Sequence, residues 1–257
     1  MQNLTVACLQ IDQVWEDRQA NYLLYNRCLH KIAHCDLIIF PEMFDTGFTM
    51  NTALAEDFSS SQALCYLKEV ASLKKTAIYT SLMTKEKSAF FNRGVFVQSS
   101  GDYSFYDKRK LFGMGGEDQV FSAGKAQKIV ELNGWKINLQ ICYDLRFPEI
   151  SRNKMNNGEA AYDVCIYVAN WPQKRIKHWD ALLRSRAIEN QSYVIGVNRI
   201  GKDGNQLEYS GGSVCYDPQG DLVWSGGNGK EEIGVFDLKY ENLNLIRSNM
   251  PFLKDAY

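Results

Sequence analysis

The alternation of strand-like and helix-like patterns constrains the fold of this chain most. Short runs rich in β-branched and aromatic residues alternate with longer amphipathic stretches along all 257 residues. No linker, repeat or low-complexity segment interrupts this order. Strands interleaved with helices are typical of layered α/β proteins, in which helices cover sheets. We therefore predict one α/β domain over residues 1–240 and a C-terminal tail over residues 241–257.

The same patterns predict individual elements. Strands are expected at 4–9, 36–40, 76–83, 162–169 and 193–199, and helices at 17–34, 61–75 and 177–191. One hairpin is expected within 90–108, and a second turns at Asn133 and Gly134, which form the strongest short turn signal in the chain. The second arm of this hairpin leads directly into Cys142.

Charge and cysteine usage exclude several classes of partner. The chain has 29 Lys plus Arg against 30 Asp plus Glu, a net charge of −1, so it has no strong field to attract nucleic acid or an anionic membrane. It has no apolar run long enough for a spanning helix, and neither a basic leader nor an apolar signal region at its start. Its seven Cys include no CxxC pair, which favours reduced thiols. We expect a cytoplasmic protein that acts on a small molecule.

Three segments place a reactive group just after an apolar run, where strands of α/β proteins commonly present functional side chains. They end in Glu42, Lys108 and Cys142. A thiol needs a base to take its proton and a cation to favour the thiolate, so this set suffices for nucleophilic acyl transfer. Position alone leaves ordinary alternatives open: a buried Cys often packs as a small hydrophobe, and Lys108 belongs to a basic run.

Histidine is the usual partner of a catalytic cysteine, and this chain has three: His30, His34 and His178. His30 and His34 form an i, i+4 pair flanked by Cys28 and Cys35, which is compatible with a helical metal site. The pair also fits a solvent-facing helix surface beside a buried Cys28. A Cys-His enzyme would have to use His178.

Three segments of the chain go beyond generic spacing: Phe40-Pro41-Glu42, Tyr106-Asp107-Lys108-Arg109-Lys110-Leu111-Phe112 and Cys142-Tyr143-Asp144-Leu145-Arg146-Phe147-Pro148-Glu149. In residues, order and spacing they resemble the signature segments of the nitrilase superfamily of carbon-nitrogen hydrolases. The resemblance covers about residues 4–237. Within this range, further matching segments lie at 169–172, 184–191, 196–199, 211–213 and 217–220. Within the superfamily, Asn170-Trp171-Pro172 followed by Arg175 resembles the bacterial omega-amidase branch, whose substrates are 2-oxoglutaramate and related ω-amides of 2-oxo acids.

This resemblance implies a site and a reaction. The family's Glu-Lys-Cys site falls on Glu42, Lys108 and Cys142, and its second glutamate falls on Glu117. Glu42 would take the proton of Cys142, and Lys108 and the backbone N–H of Tyr143 would stabilise the oxyanion. Glu117 would orient Lys108 or the substrate amide.

The resemblance also implies an α-β-β-α sandwich and pairing of two protomers into a homodimer. Nothing in the sequence indicates a cofactor. Lys110 stands where many relatives carry His after the catalytic lysine, and we assign the catalytic role to Lys108 rather than to Lys110.

Substrate contacts can be predicted from the same segments. A 2-oxo acid carries a carboxylate, which favours a bidentate cation, and Arg175 beside Trp171 is the expected partner. Phe48 is expected to line the pocket together with other aromatic and Met residues. Arg146 and Glu149 are expected to form an ion pair that braces the turn after the nucleophile. The remaining wall candidates are Phe44, Phe112 and Met114.

Several alternatives remain at the level of sequence. The same site would serve a deaminated-glutathione amidase, an N-carbamoyl amide hydrolase or a nitrile hydrolase. A catalytically silent member that binds a partner, with the His and Cys residues of the first helix holding a metal, is an alternative of another class.

Overall fold

The computed structural model describes residues 2–255, and its elements follow the predicted alternation of strands and helices. The strands are β1 (Leu4–Gln10), β2 (Leu37–Ile39), β3 (Glu56–Asp57), β4 (Ala77–Glu86), β5 (Ala89–Val97), β6 (Tyr103–Asp107), β7 (Ile129–Leu132), β8 (Trp135–Ile141), β9 (Met155–Asn156), β10 (Glu159–Ala160), β11 (Val164–Ala169), β12 (Tyr193–Asn198), β13 (Ile200–Lys202), β14 (Glu208–Ser210), β15 (Val214–Tyr216), β16 (Leu222–Ser225) and β17 (Glu232–Leu238). The helices are α1 (Arg18–Leu29), α2 (Gln62–Lys74), α3 (Glu117–Val120), α4 (Pro148–Ser151), α5 (Ile176–Asn190), α6 (Tyr240–Asn249) and α7 (Phe252–Asp255).

Two sheets form the centre of the molecule. Sheet 1 has the order β17-β1-β2-β4-β5-β6, with β3 pairing β4 off this path, and sheet 2 has the order β16-β15-β12-β11-β8-β7. Each sheet has three neighbouring parallel strands, β1-β2-β4 in sheet 1 and β8-β11-β12 in sheet 2, extended by antiparallel strands. Such parallel strands are buried on both faces, which is why they are almost continuously apolar.

Alternate residues of β1 show the layer order, because successive side chains of a strand point to opposite faces. Leu4, Val6 and Cys8 pack in the core that includes strands of sheet 2, whereas Ala7 and Leu9 pack with side chains of α1 and α2. Side chains of α5 and α6 join the core on the sheet 2 side. The predicted α-β-β-α sandwich in a single α/β domain is confirmed.

Local signals set the start of the long helices. Asp17 caps α1 by accepting a hydrogen bond from the Ala20 N–H, and Ser61 caps α2 in the same way from the Leu64 N–H. The predicted helix 17–34 ends early, at Leu29, so His30 and His34 lie beyond it and do not share a helix face. The expectation of a helical i, i+4 histidine pair is therefore wrong.

The segment beyond residue 240 contains two helices. Leu243 and Ile246 of α6 are buried, and the Arg247 guanidinium donates to the Asp163 carboxylate at 2.7 Å. Across residues 2–255, every helix is too short or too polar to span a bilayer.

Candidate active site

Glu42, Lys108 and Glu117 form a fully buried charged cluster. The Lys108 ammonium donates to Glu42 Oε1 at 2.9 Å and to both Glu117 oxygens, at 3.0 and 2.9 Å. The three side chains come from the loop after β2, the loop after β6 and the first turn of α3. Distant parts of the chain thus bring together three of the residues that the sequence singles out.

Backbone contacts hold Lys108 in place. Its N–H donates to the Asn92 carbonyl at 3.0 Å, and its carbonyl accepts from the Gly124 N–H at 2.9 Å. A Cβ at Gly124 would lie 2.0 Å from the Asp107 carbonyl oxygen, so only glycine fits there. The close approach of Gly124 therefore fixes the backbone at Lys108.

The pKa of Lys108 shows which role this residue can take. Burial acts to lower the pKa, but the neighbouring Glu117 and Glu42 carboxylates outweigh it and raise the pKa above its ordinary value. Lys108 is therefore an ammonium at every working pH, and it can stabilise negative charge but cannot accept a proton.

Two asparagines complete the cluster: Asn92, which sequence reasoning missed, and Asn170, which it noted only as part of the Asn-Trp-Pro segment. The Asn92 amide donates to Glu42 Oε1 at 2.7 Å and to Glu117 Oε1 at 3.0 Å. The Asn170 backbone N–H donates to Glu42 Oε2 at 2.8 Å. Glu42 thus accepts three hydrogen bonds, and each partner is a donor. The available signal for Asn92 was a polar residue inside the apolar strand β5.

Cys142 lies directly after β8 on a sharply turned backbone. Its φ is +44°, in the left-handed region that residues with a side chain rarely adopt. The residue is buried, and its thiol lines a cavity together with Lys108. Burial raises the pKa of the thiol well above its ordinary value, Glu42 raises it further, and Lys108 opposes both. The free thiol is therefore protonated at neutral pH and could act as a nucleophile only with a base that takes its proton.

A cavity of about 570 Å³ opens above the thiol. Phe48, Trp171 and Arg175, the expected substrate contacts, all line it, as do Tyr143 and the wall candidates Phe112 and Met114. Phe44 does not, because it is buried with Tyr25 and Phe40 in the core beneath α1 and α2. The assignment of Phe44 to the pocket wall is therefore wrong.

Arg146 also lines this cavity, contrary to the predicted ion pair with Glu149. Glu149 pairs with Lys110 at 3.1 Å, and the Arg146 guanidinium stacks over the Trp171 ring, 4.6 Å from its centroid. Burial and the nearby Arg175 lower the pKa of Arg146. Within residues 2–255, neither arginine forms an ion pair, although Glu16 and Asp203 also line this cavity.

The histidines lie apart from this arrangement. His178 is exposed and contacts the Arg146 guanidinium through Nδ1 at 3.4 Å, and His30 and His34 are also exposed. No cluster of three or more His, Cys, Asp or Glu side chains suitable for a metal occurs in the part of the chain that the structure describes. The chemistry of the site is that of a buried thiol, a carboxylate and an ammonium.

Comparisons with known proteins identify relatives of this arrangement. Residues 5–248 match the family model described as carbon-nitrogen hydrolase. The chain is 40% identical to Omega-amidase YafV of Yersinia enterocolitica over 256 residues, covering 100% of this chain and 98% of the relative. It is 30% identical to 2-oxoglutaramate amidase of Bacillus subtilis, covering 98% of this chain and 96% of the relative.

A solved structure is similar over the whole chain. It is a CN-hydrolase superfamily protein from Xanthomonas campestris that carries an arsenic adduct in its active site. It is 35% identical, with a TM-score of 0.97 over 100% of this chain and 98% of that one.

Proposed function

The chain belongs to the carbon-nitrogen hydrolase family, and from this premise we propose that it hydrolyses the terminal amide of a small 2-oxo acid such as 2-oxoglutaramate. The products are the 2-oxo dicarboxylic acid and ammonia. The observation that carries the proposal is the Cys142 thiol at the floor of a cavity, beside buried Glu42 and Lys108 and facing two unpaired arginines.

The first half of the reaction forms a thioester. Glu42 takes the proton of the Cys142 thiol as the sulfur attacks the amide carbon, because Lys108 is already an ammonium. The oxyanion of the tetrahedral intermediate lies between Lys108 and the backbone N–H of Tyr143. Tyr143 is the second residue of the 3₁₀ turn Cys142–Arg146, where N–H groups have no acceptor within the turn. Glu42 then returns the proton to the departing nitrogen, and the carbon-nitrogen bond breaks.

The second half releases the acid. Once ammonia has left, a water takes its place, and Glu42 accepts one proton from that water as the oxygen attacks the thioester carbon. The same two donors stabilise the second oxyanion, and the carbon-sulfur bond breaks with the proton returned to sulfur. Glu117 keeps Lys108 in position, since it contacts the ammonium with both oxygens.

The arginines support a substrate with an anionic end. A guanidinium binds a carboxylate through two parallel hydrogen bonds, and Arg146 and Arg175 lie on the cavity wall without a carboxylate partner in the described residues. Relatives named omega-amidase and 2-oxoglutaramate amidase support the 2-oxo acid. Trp171 and Phe48 supply apolar walls for the carbon chain between the carboxylate and the amide.

Removing either guanidinium should weaken binding of the substrate's anionic end and leave the hydrolysis step itself unchanged. We expect Arg175→Ala and Arg146→Ala each to raise KM for 2-oxoglutaramate by about 10- to 100-fold, because each variant loses one or two charge-assisted hydrogen bonds to the substrate. Turnover of a neutral amide such as butyramide should change by less than about threefold, because it makes no such contact. Steady-state ammonia release with both substrates measures the effect.

Arg152→Ala is the matched control, because Arg152 pairs with Glu189 and does not line the cavity. Unchanged KM for 2-oxoglutaramate in both cavity variants would refute the assignment of the anionic end. A panel of deaminated glutathione, N-carbamoyl amides and nitriles would then identify the acyl donor.

We further propose that the enzyme is a cytoplasmic homodimer. Ile188 on α5 and Leu245 on α6 are exposed apolar side chains on the outer side of sheet 2, and pairing of this surface would cover them. A cytoplasmic location fits the seven free thiols, one of which must stay reduced for the reaction. Light scattering should give twice the chain mass of 29.4 kDa.

A further inference from the structure

Asp144 connects the polypeptide on both sides of the site. Its Oδ2 accepts from the Ile141 N–H at 3.0 Å and from the Tyr106 hydroxyl at 2.9 Å, and its Oδ1 accepts from the Lys110 N–H at 2.9 Å. Ile141 directly precedes Cys142, and Lys110 follows Lys108 by two residues. One carboxylate therefore bonds to the chain just before the nucleophile and just after the catalytic ammonium.

This carboxylate is fully buried, and none of the described residues forms an ion pair with it. A buried charge without a counter-ion is costly unless hydrogen bonds compensate it. All three partners of Asp144 are donors, so the group must act as an acceptor on both oxygens. An asparagine has the same shape, but its NH₂ would face at least one donor.

The contacts of Asp144 affect the positions of both groups proposed to donate to the oxyanion, the Tyr143 N–H and the Lys108 ammonium. The Ile141 contact spans the strained Cys142 backbone and closes the turn that carries the Tyr143 N–H. The Lys110 contact fixes the loop that begins at Lys108. We propose that Asp144 is a positioning residue, whose ionised carboxylate aligns the Tyr143 N–H and the Lys108 ammonium on one oxyanion. This inference rests on the proposed amide hydrolysis.

The arrangement predicts a dependence on pH. Burial raises the pKa of Asp144 to about 6, and the Ile141 N–H, Lys108, the Lys110 N–H and the Tyr106 hydroxyl act to lower it. The ionisable groups that face it are Tyr106 and Lys108, Tyr79 from β4 and Cys165 from β11. Each oxygen of Asp144 accepts from one backbone N–H, that of Ile141 or that of Lys110, so a proton on either oxygen weakens one of these contacts. We therefore expect kcat to fall as the pH drops through this range.

Tyr106→Phe tests this coupling without touching the proposed catalytic groups. Loss of the hydroxyl removes a hydrogen bond that lowers the pKa of Asp144, so the acid limb of the kcat profile should move to higher pH, by about half a unit to one unit. At pH 8, where Asp144 stays ionised, kcat and KM should remain within about threefold of wild type. Tyr216→Phe is the matched control, because it removes a tyrosine-aspartate hydrogen bond to Asp180, and it should leave the profile unmoved.

Asp144→Asn provides the second measurement. Misaligned oxyanion donors should lower kcat by about 100-fold, while KM changes by less than about threefold because the cavity wall is intact. An acid limb that stays in place in Tyr106→Phe, or a folded Asp144→Asn enzyme with wild-type kcat, would overturn the inference. If the wild type hydrolyses no amide, the proposed function fails and this inference fails with it. Amide turnover with an unmoved limb refutes the inference alone.

Discussion

Glu42→Gln should lower kcat for amide hydrolysis by about 10³-fold, because the variant loses the group that moves every proton in the reaction. The Lys108 ammonium cannot replace it as a base, and the protonated Cys142 thiol is then a poor nucleophile. Ammonia release under saturating 2-oxoglutaramate measures this loss, and circular dichroism checks that the variant is folded.

The geometry explains why so small a change should have so large an effect on kcat. Glu42 accepts from Lys108, Asn92 and the Asn170 N–H, so the NH₂ of a glutamine must face a donor on one side. Glu131→Gln is the control, because Glu131 is exposed on β7 and should leave kcat within about twofold of wild type. A Glu42→Gln enzyme with a tenth or more of wild-type kcat would exclude Glu42 as the base.

Lys108→Met should abolish activity and also destabilise the protein, by about 3–5 kcal/mol at neutral pH, because it leaves Glu42 and Glu117 as adjacent buried charges without their counter-ion. In this variant the two carboxylates favour a shared proton, so the folded state binds more protons than the unfolded chain near neutrality. The variant should therefore gain stability relative to wild type as the pH falls, which is measurable as Tm against pH.

Lys110→Met tests whether Lys108 or its neighbour Lys110 is the catalytic lysine. Lys110 is partly exposed and pairs with exposed Glu149, an ion pair that contributes little to stability. This variant should keep nearly all of its stability and most of its activity. If Lys110→Met abolished turnover while Lys108→Met retained it, the assignment of the catalytic lysine would be reversed.

Much of the fold could be predicted because its signals are local. The caps at Asp17 and Ser61 and the turn at Asn133 and Gly134 lie next to the elements that they begin or join. Strand pairing is not local in this way. β17 pairs with β1 from the opposite end of the chain, and neither strand carries a pattern that specifies its partner.

The residues of the candidate site also differ in whether a local sequence signal marks them. Glu42, Lys108 and Cys142 could be found because each follows an apolar run, and the resemblance then gave them roles. Asn92 was missed because its polarity within β5 is visible in the sequence, whereas its contacts with Glu42 and Glu117 are not.

Arg146 was misread for a related reason. The sequence predicts an ion pair with Glu149, three residues further along the chain, whereas in space Glu149 contacts Lys110. Arg146 therefore forms no ion pair with Glu149 and lines the cavity instead.

The most direct test of a cysteine thioester mechanism compares wild type with Cys142→Ala during hydrolysis of 2-oxoglutaramate. Acid quenching followed by intact-mass spectrometry detects an acyl group on the protein, and ammonia release is followed in the same samples. We expect ammonia and a transient acyl adduct with wild type, and neither with Cys142→Ala, because the bond from sulfur to the acyl carbon is obligatory. Continued ammonia release by folded Cys142→Ala would contradict the mechanism.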